Sequence, residues 1–272
     1  MTTSALNIAI NSAPGTLLGR WLASPVENPD FPLTHAEALL EMERMRASPV
    51  VPKRPILVLA GYHAWRLMVA STARTMRGLV GGPADHYHSM AYPLSSSIEG
   101  IARNVVREVE RIWPHDEPHR TAEIDVIGVS MGGLVARVAA QLPLVDGQKR
   151  LRIVRLFTLA TPHQGALLAE RTPAFLRDSA ARDMHPESRF LERLNASLPT
   201  AKYELTCYTR LNDKWVGAKN TAPPSREPIW VSGLRFMSHT TVTADARLLV
   251  DMARRLRGEE PLARRASVPP TQ

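Results

Sequence analysis

The chain has 272 residues, 44% hydrophobic and 22% charged, an ordinary balance for a globular protein with a sizeable core. Its formal charge of +8 is spread out and has no interleaved aromatic residues, which argues against a nucleic-acid platform. One cysteine, Cys207, excludes an internal disulfide framework, and no Cys/His group carries zinc spacing, so neither metal nor cofactor is expected.

The opening residues MTTSALNIAINSAPGTLLGRWL lack a basic leader followed by a long apolar run, and no apolar stretch approaches the roughly 18 residues of a membrane span. These features point to a cytoplasmic chain. Residues 1–50 hold several prolines and one amphipathic helix, Thr34 to Arg46, and read as an extension packed on a main domain of 51–258.

From Arg54 the pattern changes. RPILVLAGY is a short buried strand, a helix can run from Trp65 to about Leu79, and HYHSMAYP is a second strand stopped at Pro93. Ser95 to Glu99 supply helix-start chemistry. The helix that follows puts Ile98, Ile101, Val105, Val109 and Ile112 on one face. IDVIGV, then GGLVARVAAQL, then VRLFTLAT read as strand, helix, strand. Residues 164–199 interrupt this rhythm and read as a helical insertion above the sheet. YELTCYTRL and PIWVSGL resume the strands, VTADARLLVDMARRL is a closing amphipathic helix, and residues 259–272 form a loose basic tail. Alternating strands and helices imply parallel crossovers, hence an α/β fold with helices on both faces of a mostly parallel sheet. The basic runs at 149–152, 254–257 and 264–265 open a route to peripheral contact with an anionic membrane surface.

Within DVIGVSMGGLVAR, Ser130 sits in a Gly-x-Ser-x-Gly turn between an apolar strand and a helix. A serine on such a turn is lifted clear of the sheet edge. Gly128 and Gly132 remove side chains that would collide across it, and the new helix aims free N–H groups at any oxyanion forming there. A phosphate loop would need Lys-Ser/Thr after the glycines, which is absent.

GVSMGGLVAR resembles the nucleophile elbow of the α/β-hydrolase lipases and esterases. LVLAGYHAW resembles that superfamily's first core strand and oxyanion loop, LATPHQGA its T-P-H-x-G segment, and LNDKWV its acid loop. The resemblance implies an α/β-hydrolase fold, a serine carboxyl-ester hydrolase and a small acyl-ester or lipid substrate. It implies Ser130 as nucleophile, Asp213 as acid, His239 as base, and the Tyr62 and Met131 amides as the oxyanion hole. His163, in the T-P-H position, is implied to be structural. His63, Trp65 and Trp215 are expected at the substrate. Ala60 and Val129 stand where the superfamily usually has His. ESRFLERLNASLP resembles a lid helix, with Phe190, Leu191 and Leu194 equally readable as core. A thioesterase, an acyltransferase, or a silent binding protein on the same fold stand as alternatives.

Overall fold

The computed structural model describes residues 26–64, 66–92, 97–143, 147–173, 177–234 and 237–270. Helix α1 (His35–Ala47) opens with a capping box: Thr34 Oγ1 accepts from the Glu37 amide while the Glu37 carboxylate accepts from Thr34 N–H. Then follow β1 (Ile56–Leu59), α2 (Arg66–Val80), β2 (Tyr87–Met90), α3 (Ile98–Ile112), β3 (Arg120–Val129), α4 (Met131–Ala139) and β4 (Arg150–Leu159). The insertion contributes α5 (Leu167–Arg171), α6 (Ser179–Asp183) and α7 (Arg189–Ala196). The chain continues through β5 (Glu204–Arg210), β6 (Ile229–Val231), α8 (Ser238–Thr241) and α9 (Ala246–Arg257), which ends on left-handed Gly258.

All described strand pairs are parallel, in the order β2-β1-β3-β4-β5-β6. The four buried residues of β1 divide by the two-residue period of a strand. Leu57 and Leu59 join the core under α3 and α4, and Ile56 and Val58 join the core under α1, α2 and α9. Each such side chain contributes roughly 1.5–3 kcal/mol by leaving water. The sheet is therefore an α/β layer covered on both faces, as the alternation of elements implies.

The strand order also places a crevice. After β1 the chain steps outward to β2, then crosses back over β1 to β3. Loops leaving β1 and β3 therefore diverge at their carboxyl ends, the switch point where open α/β sheets hold ligands.

Two features depart from the sequence expectation, and a third was left open by it. β3 and β4 begin several residues early, at Arg120 and Arg150, because their charged lower halves pair across the sheet, with Arg152 3.0 Å from Glu123. Of the two readings open for the apolar stripe of helix α7, burial matches the core one: Leu191 and Leu194 are buried, and Phe190 packs against the same core. Residues 259–270 are held rather than loose, since the buried Asp251 carboxylate accepts the Leu262 and Ala263 amides at 2.6 and 2.8 Å.

Candidate active site

Ser130 lies at the turn from β3 into α4 with φ 51° and ψ −124°, a conformation unfavourable for a non-glycine residue. The surroundings hold it there. Its N–H donates to Leu159 O at 2.8 Å, and its carbonyl accepts from Thr161 Oγ1 at 2.7 Å and from the Gly133 amide at 3.2 Å. A Cβ on Gly128 would stand 2.5 Å from the Gly133 backbone, and one on Gly132 would stand 2.5 Å from Leu59 O. The turn therefore closes only with glycine at both places.

Asp213 follows β5 on the loop opened by Asn212, whose φ is 62°. Its Oδ1 accepts the amides of Trp215 and Val216, each at 3.0 Å, which turns Oδ2 toward His239 Nδ1 at 2.8 Å. His239 Nε2 lies 3.1 Å from Ser130 Oγ. Both carboxylate oxygens are acceptors, so His239 carries its proton on Nδ1 and leaves the Nε2 lone pair for the serine hydroxyl. The three residues are far apart in sequence and meet in one hydrogen-bonded line.

The base is supported from beneath. Ser238 Oγ donates to Leu211 O at 2.5 Å, an approach that only Gly233 permits, since a Cβ there would reach within 1.6 Å of Leu211 O. Arg210 Nη1 donates to Thr241 Oγ1 at 2.5 Å, and Asp245 ties Arg210 at 3.2 Å to Arg247 at 2.7 Å. Burial pushes the Asp245 carboxyl up, but Arg247 and Arg210 outweigh it and hold the group at about 2.

Met131 is the first residue of α4, so its amide has no helical acceptor and sits at the positive end of the helix. Tyr62 follows Gly61, where an added Cβ would lie 3.0 Å from Ser130 Cβ. The β1 loop thus touches the elbow. Ala60, the position that lacks the usual His, is fixed by its own backbone: its N–H donates to Met90 O at 3.0 Å and its carbonyl accepts from the Tyr92 hydroxyl. The Tyr62 hydroxyl donates to Asp178 Oδ2 at 2.9 Å, and the other oxygen of Asp178 caps α6 through the Ala181 amide. Burial, then the Asp178 carboxylate, push the Tyr62 phenol up to about 12.

Ser130 and His239 open onto a cavity of ≈ 540 Å³. Met68, Val69, Ala169, Met184 and Val216 give it a mainly apolar wall, with contributions from both α2 and the insertion. His63, with φ 49°, and Trp215 also line it, whereas Trp65 lies outside the described residues. His163 is elsewhere: it is fully buried, 2.9 Å from Arg137 Nη1 and 3.1 Å from Thr158 Oγ1. Burial and then the Arg137 charge hold its pKa well below the usual histidine value, so it accepts from Arg137 as a neutral ring. Asp125, the other strand carboxylate near the elbow, is buried between Arg54 and Arg155. Among the described residues no group of three His, Cys, Asp or Glu side chains is arranged to hold a metal.

Sequence reasoning did not find Thr161, Asp178, Arg210 or Asp245. Thr161 had a signal, because it stands in the T-P-H-x-G segment two residues after β4. The other three act through partners distant in sequence, which no local pattern marks.

A parallel sheet with a serine elbow at its switch point is the architecture of the α/β-hydrolase fold. Residues 96–176 match a family model described as the PGAP1-like alpha/beta domain, a span that includes Ser130 and His163 but neither Asp213 nor His239. Among solved structures, the lipase BlEst2 of Bacillus licheniformis in its propeptide form aligns with a TM-score of 0.51 at 14% identity, over 82% of this chain and 53% of that one. The mature form of BlEst2 gives 0.43 at 14% identity, over 65% of this chain and 82% of that one. The phospholipase PlaB of Legionella pneumophila gives 0.48 at 14% identity, over 62% and 45%. At such identities the likeness is one of fold, and it rests on the first of these. No curated protein sequence matches the chain. No helix among the described residues is long and apolar enough to cross a membrane.

Proposed function

We propose that the protein is a serine carboxyl-ester hydrolase that cleaves an acyl ester through an acyl-Ser130 intermediate. The observation that carries this reading is the unbroken line Asp213–His239–Ser130, with gaps of 2.8 and 3.1 Å, at the mouth of an apolar cavity. His239 Nε2 takes the Ser130 proton as Oγ attacks the ester carbonyl, and Asp213 steadies the imidazolium. The Met131 and Tyr62 amides receive the oxyanion, each such donor typically lowering the barrier by roughly 3–4 kcal/mol. His239 then gives its proton to the departing alcohol. Water, activated by the same nitrogen, attacks the acyl-enzyme and releases the acid.

The apolar wall favours a hydrocarbon acyl chain, so a lipid-type ester is the substrate class assigned to the cavity. A silent binding protein would not need Ser130 held in a strained conformation opposite an aligned base. The test is direct. Folded protein is assayed on p-nitrophenyl esters of increasing chain length and on acyl-CoA, and exposed to a fluorophosphonate probe. Ester turnover with labelling that disappears in Ser130→Ala is the expected result. Turnover of acyl-CoA alone would make the protein a thioesterase, and an unlabelled wild type would defeat the enzyme reading.

A further inference from the structure

A number of basic side chains on this chain meet a carboxylate where they stand. Lys149 meets Glu110 at 2.6 Å, Arg254 meets Glu41 at 2.5 Å, and Arg257 meets Glu259 at 2.6 Å. One place differs. Beside the amino-terminal half of β5, a cleft of ≈ 270 Å³ is lined by Arg226, Arg255, Arg264 and Arg265, with Glu227 as its acidic member. Arg255 is held by Asp251 at 2.8 Å and Arg265 by Asp30 at 2.8 Å. Among the described residues no carboxylate forms an ion pair with Arg226 or Arg264.

The cleft is a built feature. β6 pairs with β5 only from Tyr208 onward, which leaves Leu205 to Cys207 without a strand on that side. The segment 261–267 closes over the gap and is tied at both ends. Leu262 and Ala263 hang from Asp251, the Arg264 amide donates to Asp30 O at 2.8 Å, and Ser267 N–H donates to Pro228 O at 3.3 Å. Trp230 Nε1 adds a bond to Ser267 Oγ at 3.1 Å. On the facing wall Arg226 Nη1 donates to Leu205 O at 3.1 Å, which fixes the guanidinium and leaves its other donors available. Ala263 is buried in the core and Leu262 packs against it, while Pro261 and Arg264 to Ala266 stay exposed at the cleft.

We propose that this cleft binds a phosphate group, with Arg226 and Arg264 as two guanidinium forks on one tetrahedral anion. Planar forks match phosphate oxygens two at a time, and Arg255 and Arg265 add to the positive field. The cleft shares no lining residue with the cavity at Ser130, so the site stands independently of the hydrolase reading. The phosphate can belong to a small soluble molecule or to a lipid headgroup.

Calorimetric titration of the full chain with inorganic phosphate at fixed ionic strength tests the soluble source. Co-sedimentation with phosphatidylcholine vesicles, with and without phosphatidic acid, tests the lipid source. Binding in either arm is expected, weakened about tenfold or more in Arg226→Ala/Arg264→Ala. Arg111→Ala, a surface arginine elsewhere, should leave binding unchanged, and ester turnover should persist in all three proteins. If the alanine pair fails to fold, Arg226→Lys/Arg264→Lys, which keeps the charge and loses the forks, serves instead and should also bind more weakly. No binding in either arm, or binding lost equally in Arg111→Ala or unmoved in the paired variants, would overturn the site.

Discussion

The indole of Trp215 stacks on the imidazole of His239, with ring centroids 4.9 Å apart and planes inclined by 27°. The same residue donates its N–H to Asp213 and accepts from the Leu168 amide on α5. Trp215 therefore joins the base, the acid and the insertion. An aromatic face is attracted to a cation, so the stack strengthens when the imidazole gains a proton in the transition state. Trp215→Ala should lower kcat about tenfold, on the order of 1–2 kcal/mol, with a smaller change in KM, and Trp215→Phe should recover most of the loss. Steady-state kinetics on a p-nitrophenyl ester measure both. Unchanged kcat in the alanine variant would show that the ring only lines the cavity.

The acid and base separate by tautomer. In Asp213→Asn an amide N–H can face His239 Nδ1, which then becomes the acceptor and puts the ring proton on Nε2, where it blocks the serine. Turnover should fall by about four powers of ten, and His239→Ala should cost on the order of a millionfold. Circular dichroism and melting temperature check that both variants remain folded. Residual activity within tenfold of wild type in either would displace that residue from its role.

Two glycines give opposite stability results. Gly78 lies in α2 with open space around a would-be Cβ, so Gly78→Ala should stabilise the helix by roughly 0.5–1 kcal/mol. At the elbow, Gly128→Ala would drive a methyl to 2.5 Å from the Gly133 backbone and should sharply lower the melting temperature along with probe labelling. Thermal melts of the two proteins decide it. A higher melting temperature for the first and a large loss for the second is the expected pair.

This contrast shows what the chain reveals on its own. The elbow was legible because its causes are local: an apolar strand, a serine, and glycines at contact positions, all within a few residues. The loops bearing Asp213 and His239 were legible through chain order and likeness. The lower halves of β3 and β4 were not, because Arg152 and Glu123 look solvent-bound until the strands lie side by side. Arg137 shows the same limit. It sits in α4 as if on a surface, yet it is fully buried, donating to Leu194 O at 2.7 Å and Asn195 Oδ1 at 3.0 Å. The ties of residues 259–270 to Asp251 likewise depend on a carboxylate that helical spacing alone does not mark as buried.

The acid limb of stability follows from Asp245. Its carboxyl is depressed to about 2 in the folded protein, against 3.8 ordinarily, so the unfolded chain binds this proton more tightly. Its contribution is complete above the unfolded value and disappears as pH falls through about 2, amounting to roughly 2 kcal/mol. Asp245→Asn should remove that part of the acid dependence and lower stability near neutrality, because Arg210 and Arg247 lose their shared counter-charge. Denaturant titrations at several pH values test it. An acid limb as steep in the variant as in wild type would place the titration elsewhere.

The acyl cavity makes the last prediction. Ala169 lines it from α5 and is nearly buried, so a larger side chain there projects into the space rather than into solvent. Ala169→Leu adds three carbon atoms to the cavity wall. If the hydrocarbon tail of the substrate lies in this space, long-chain esters must clash first, while an acetyl group near Ser130 still fits. The expected outcome is a shift of the kcat/KM optimum toward shorter p-nitrophenyl esters, about tenfold for the longest chains, with acetate turnover within a few-fold of wild type. Equal losses at every chain length would mean that the substitution disturbs Ser130 or its partners. An unchanged profile would mean that the acyl chain leaves Ser130 by another path.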